Sequence, residues 1–152
     1  MTPPAPAPTG LPKVLLIVED QLLIAMSLKG ELEDHDYRVL DLAVRHQEAL
    51  DTVRVDRPDL ALVNIDLAAG DDGAALAWDL KAMGIPVIFI SGQTDAVQLA
   101  REAAIASMAK PYSVTDMVAA VNYLFRHMAG DESRPPPARL LLFDLDVIAP
   151  AA

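Results

Sequence analysis

The sequence predicts an α/β fold in which a parallel sheet lies between two layers of helices. Three observations predict it. Short runs are apolar at every position, segments of helical period separate them, and the two kinds alternate along the chain. The first run, Val14–Val18 (VLLIV), ends in two acids, Glu19 and Asp20. Leu22–Leu32 follows as a helix whose Leu23, Met26, Leu28 and Leu32 are expected near one face. Val39–Val44 (VLDLAV) reads as a strand nearer an edge, and 47–55 as a helix carrying Leu50 and Val53. Leu60–Ile65 (LALVNI) is the third run, closed by Asp66. The helix over 74–83 brings Leu76, Trp78 and Leu80 together, with Trp78 expected in the core. Ile85–Ile90 (IPVIFI) is the fourth run, and 95–104 an Ala-rich helix. Ile105–Ala109 (IASMA) is a weaker fifth strand. The last helix, 114–127, sets Met117, Val118, Val121, Leu124 and Phe125 on a stripe behind a Ser113 cap.

Composition narrows the function. The chain has 152 residues, 53% of them hydrophobic, so one domain with a real core is expected over residues 13–129. Residues 1–12 are a Pro/Ala-rich tail, and 130–152 a Pro-rich linker with an apolar extension. With no cysteine, disulfides, thiolate metal sites and cysteine nucleophiles are excluded. A net charge of −10 argues against a nucleic-acid surface. No apolar stretch has membrane-spanning length and the N-terminus has no signal-peptide pattern, so a cytoplasmic protein without membrane or nucleic-acid partners is expected.

In a parallel sheet, functional groups gather at the carboxyl ends of the strands. Those ends carry Glu19 and Asp20, Asp66, Ser91 and Lys110. Three converging carboxylates repel one another unless a cation intervenes, and oxygen ligands suit Mg²⁺ or Mn²⁺. Such a cation lets a carboxylate attack phosphorus, with a lysine and a hydroxyl holding the other phosphoryl oxygens. The arrangement suits an acyl phosphate on Asp66.

The ordered motifs VLLIVED, ALVNIDL, VIFISG and AKPY resemble the receiver domain of two-component response regulators, over residues 13 to about 128. The resemblance implies a flavodoxin-like, five-stranded parallel sheet of order 2-1-3-4-5. It makes Asp66 the phosphoacceptor, with Mg²⁺ held by Asp20, Glu19, Asp66 and the backbone carbonyl of Ala68. Ser91 would bond the phosphoryl, Gly92 leave it access, and Lys110 pair with it before a cis peptide bond to Pro111. Ser107 stands where many receivers carry a switch aromatic. Together with PVIFISG at 86–92 and the loop LAAGDDG at 67–73, it looks like an alphaproteobacterial subgroup with an FxTG-type fourth strand.

Other residues receive plainer readings. Asn64 is taken as a satisfied structural amide; His35, His46 and His127 are scattered, and Met83, Met108, Met117 and Met128 are packing or surface residues. LLLFDLDV also resembles the aspartate motif of haloacid-dehalogenase-type phosphatases, with Asp144 and Asp146, but with only six residues after Asp146 a coincidence is expected. The apolar stretch Leu140–Ile148 should instead add to a sheet edge, dock on a helix or bind a partner, with self-association or docking as the expected role. The expectation is a non-enzymatic, single-domain response regulator. A histidine kinase or histidine phosphotransfer protein would phosphorylate it, and output would pass by contact with a downstream protein through the fourth helix, fifth strand and fifth helix. A phosphorylation-independent binding module and a phosphate sink are the alternatives.

Overall fold

The computed structural model describes residues 11–67, 72–92 and 94–143. Strands β1 (Val14–Val18), β2 (Arg38–Val39), β3 (Leu60–Asn64), β4 (Val87–Ser91), β5 (Ala106–Ala109) and β6 (Leu140–Leu142) form one sheet, ordered β2-β1-β3-β4-β5-β6. Helices α1 (Leu22–Asp34), α2 (His46–Val55), α3 (Gly73–Ala82), α4 (Thr94–Ala100) and α5 (Val114–Met128) connect them, with a 3₁₀ turn at Arg101–Ala103 after α4. The first five strands pair in parallel. The expected five-stranded order is therefore extended by one strand, since β6 runs antiparallel along β5. The described part of the apolar extension, Leu140–Leu142, adds to the sheet edge.

Burial on both faces explains the continuous apolar runs. Leu15 and Ile17 face the core shared with α1 and α5, while Leu16 and Val18 face the core shared with α2 and α3. β3 and β4 divide the same way, Leu60, Leu62, Ile88 and Ile90 against Ala61, Val63, Val87 and Phe89. Ser113 caps α5 as expected, in a reciprocal box with Asp116: each side chain accepts from the other residue's backbone N–H, at 3.0 and 2.9 Å.

Three expectations are corrected. Leu23 and Met26 are 80% and 54% exposed; the buried stripe of α1 is Ala25, Leu28 and Leu32, spaced i, i+3, i+7. Trp78 is 44% exposed, its ring under the Lys81 ammonium, because Leu76, Ala77 and Leu80 already fill the inward arc of α3. The second strand is shorter than Val39–Val44. It pairs with β1 through Arg38 and Val39, and past the exposed Asp41 the chain touches β1 again at a Val18–Ala43 bridge.

Candidate functional site

Strand register sets which residues meet at the carboxyl edge. Val18 pairs with Val63, which brings Glu19 beside Asn64; Asn64 pairs with Ile90, and Ser91 with Ala109. Lys110 follows, its N–H donating to the Ser91 carbonyl at 3.0 Å. The carboxyl edge thus presents Glu19 and Asn64 side by side, then Ser91 one residue past Asn64's partner Ile90, then Lys110 one past Ser91's partner Ala109. β3 ends at Asn64, two residues before the expected Asp66.

Asn64 is buried at 1% exposure and uses its whole hydrogen-bonding capacity. Its Nδ2 donates to Glu19 Oε2 at 3.2 Å and to Asp20 Oδ1 at 3.3 Å. Its Oδ1 accepts from the Asp66 backbone N–H at 3.0 Å and from Lys110 Nζ at 3.4 Å. Four partners fix the amide's orientation: reversal would aim N–H groups at an ammonium and an oxygen at two carboxylates. The expectation of a satisfied amide holds, but this amide lies at the centre of the site.

Asp66 lies outside that centre. Its side chain is exposed, and among the described residues its carboxylate has no hydrogen-bond or ion-pair partner. The acid expected to meet Glu19, Asp20 and Lys110 is replaced there by an amide. The physical reason is the turn that ends β3: beyond Asn64 the chain leaves the sheet, with the Asp66 N–H folded back onto Asn64 Oδ1.

The remaining expected residues divide. Glu19, Asp20 and Lys110 come together around Asn64. Gly92 is exposed beside Lys110, where a Cβ would meet Lys110 Cβ at 3.8 Å, an ordinary contact. The Lys110–Pro111 peptide bond is cis, as the resemblance implied. Ser107 is buried on β5 and shares a pocket of about 180 Å³ with Ser91, Gly92 and Lys110. Ala68, Asp144, Asp146 and Ile148 lie outside the described residues.

Electrostatics follow from burial. Desolvation of Glu19 raises its pKa above the ordinary 4.5, and the Asp20 charge adds to this; the Gln21 backbone N–H at 3.1 Å and the Lys110 charge oppose it. Glu19 Oε1 is buried without a partner among the described residues. Tyr112, whose buried hydroxyl also lacks one, is pushed up to about 12 by burial and then by the Glu19 charge.

Among the described residues the donor set does not fit a divalent cation. The orphaned Glu19 oxygen favours one, but the third ligand position presents the N–H face of Asn64 to both carboxylates. Among the described residues, no group of three or more His, Cys, Asp or Glu side chains is placed to hold a metal. Asn64, Gly73 and Tyr112 were the residues sequence reasoning undervalued. Gly73 opens α3 against the Asn64 backbone, where a Cβ would stand 2.4 Å from the Asn64 carbonyl oxygen and 2.6 Å from Ile65 Cα. Only glycine permits that approach. The available signal for Asn64 was its place as the first polar residue after LALV, just as Glu19 follows VLLIV.

Comparison with known proteins settles the family. The model of the response regulator receiver domain matches residues 15–122. The chain belongs to that family. The receiver relatives include the transcriptional regulatory protein PdtaR of Mycobacterium tuberculosis, 31% identical over 122 residues, covering 78% of this chain and 60% of PdtaR. The phyllosphere-induced regulator PhyR of Methylorubrum extorquens is 39% identical over 79 residues, covering 51% of this chain and 30% of PhyR. The chain thus spans about 60% of the length of PdtaR and less of PhyR. Among solved structures, a CheY-like receiver domain protein from Methanospirillum hungatei superposes with a TM-score of 0.72 at 25% identity, covering 78% of this chain and 98% of its own. The signal receiver domain of a modulated diguanylate cyclase from Desulfovibrio desulfuricans gives 0.69 at 30% identity, covering 79% and 99%. Among the described residues no helix is long and apolar enough to cross a membrane.

Proposed function

We propose that this receiver domain is a phosphorylation-independent binding module in two-component signalling, held in one state by Asn64. The observation that carries this is the amide between Glu19 and Lys110. An acyl phosphate needs a carboxylate nucleophile, and a carboxamide offers neither its charge nor its free oxygen. In its place the uncharged amide of Asn64 ties the acidic pair to Lys110, so the groups that phosphorylation rearranges are already joined.

The signal then passes through contact with a partner, with no enzymatic step. A histidine kinase or histidine phosphotransfer protein would bind without transferring its phosphoryl group. Exposed Leu22, Leu23, Ile24 and Met26 on α1, beside a groove of about 530 Å³ reaching Pro111 and Tyr112, supply apolar contact area for such a partner. The FISG sequence of β4 supports placement in the FxTG-type subgroup, and the absence of cysteine suits a cytoplasmic setting.

The test is incubation with Mg²⁺ and an acyl phosphate donor, followed by intact mass. The protein should gain no phosphoryl mass under conditions where a receiver with an acceptor aspartate reacts. Addition of one phosphoryl group that disappears in Asp66→Asn would instead establish Asp66 as the acceptor, and this reading would fail.

A further inference from the structure

The sixth strand covers an edge that would otherwise present unpaired backbone. β5 has β4 on one side and β6 on the other, with Ala106, Ser107 and Met108 opposite Leu142, Leu141 and Leu140. The Phe143 N–H donates to the Ile105 carbonyl at 2.8 Å, and the Ala109 N–H to the Arg139 carbonyl at 3.4 Å. Two buried apolar anchors seat the segment, with half-buried Leu142 packed beside the first. Leu140 enters the core on the α5 side of the sheet, and Phe143 enters the opposite core with the Arg101 guanidinium 4.8 Å from its ring centre.

The tether is built differently. From 129 to 139 every residue except Pro137 is exposed, and the linker's only ion pair to the domain among the described residues is Arg139–Asp116, at 4.0 Å between half-exposed groups. The strand itself is three residues long, and Leu141 between the anchors is 50% exposed. A short strand with two anchors on a solvated linker stays in place largely because the linker keeps it near. Such a segment is a ligand tied to its own receptor. Leu141 and Arg139 also wall the pocket that runs past Ser107 to Ser91 and Lys110, so movement of β6 alters access to the site.

We propose that the β5 edge is a strand-docking site for an extended apolar segment of a partner protein, with β6 as its displaceable intramolecular occupant. The partner segment adds antiparallel to Ala106–Met108 and carries apolar side chains at the positions of Leu140 and Phe143. The inference rests on the sheet edge and not on the reading of Asn64, so either can fail alone.

The experiment uses the full chain with a protease site inserted within 131–136. The probe is a fluorescent peptide of the 138–148 sequence, followed by polarisation. The uncut protein should bind it weakly. The cut protein, diluted so that its own tail departs, should bind saturably and roughly a hundredfold more tightly. Equal binding before and after cutting overturns the proposal. So does a tail that survives dilution without exchanging, or loss of β1 and β3 amide protection on cutting, because β6 is then structural. As a second route, uncut Leu140→Asp/Phe143→Asp should bind the peptide without cleavage; no binding while β1 and β3 stay protected counts against the proposal. Dimers of the uncut chain that exchange β6 between copies would assign the edge to a second copy and overturn the partner reading.

Discussion

Replacing Asn64 by Asp should convert a neutral hub into a third buried carboxylate, and the cost follows from the contacts. The variant loses the two N–H bonds to Glu19 and Asp20, at 3.2 and 3.3 Å, and sets like charges in their place. A pair of unit charges about 4 Å apart interacts by roughly 4 kcal/mol at an effective dielectric constant of about 20. Two repulsions arise and one attraction, to Lys110 at the opposite oxygen, offsets part of them. One uncompensated contact remains, so Asn64→Asp should lower stability by about 2–4 kcal/mol in chelator, which lowers Tm by roughly 10 °C for a domain of this size. A divalent cation should restore much of that loss in the variant, now that three carboxylates converge, and leave the wild type's Tm unmoved. The assay is thermal unfolding of both proteins, with chelator and with Mg²⁺. The reasoning fails if the variant is as stable as wild type in chelator, or if Mg²⁺ stabilises the wild type as much as the variant.

Three further outcomes are expected. Gly73→Ala should destabilise by about 2 kcal/mol or more, since the added Cβ meets backbone atoms of Asn64 and Ile65. Gly30→Ala, with nothing within 4 Å and a place inside α1, should stabilise by roughly 0.5–1 kcal/mol; denaturant midpoints measure both. Because Glu19 has its pKa raised on folding, the folded state binds more protons than the unfolded one between 4.5 and the raised value. Stability should therefore fall as pH rises through that window, and Glu19→Gln should remove this slope from unfolding curves recorded across it in metal-free buffer. The phenolate absorbance difference between wild type and Tyr112→Phe should have its midpoint near 12, above the ordinary 10.0.

The central strands were legible because burial on both faces leaves unbroken apolar runs such as VLLIV and VIFI. α1 was misread on its face, because Leu23 and Met26 are apolar without being inward and only the i, i+3, i+7 stripe of Ala25, Leu28 and Leu32 fits the sheet. β6 was not legible as a strand, since LLL alone carries no period and its pairing is set by a distant edge, Leu140 lying opposite Met108. In the site, Glu19, Asp20 and Lys110 each close an apolar run and were found. Asn64 was passed over for the neighbouring acid, Asp66. The turn decides that matter: the chain leaves the sheet after Asn64, with the Asp66 N–H folded back onto Asn64 Oδ1, and the acid two residues on makes no bond to Glu19, Asp20 or Lys110 among the described residues.

The most direct measurement is site-mapped phosphoryl incorporation into Asn64→Asp, with Asp66 left in place, beside the wild type. After Mg²⁺ and an acyl phosphate donor, the variant should carry its phosphoryl group on residue 64 and the wild type should carry none. A phosphoryl group on Asp66 in either protein would contradict the account.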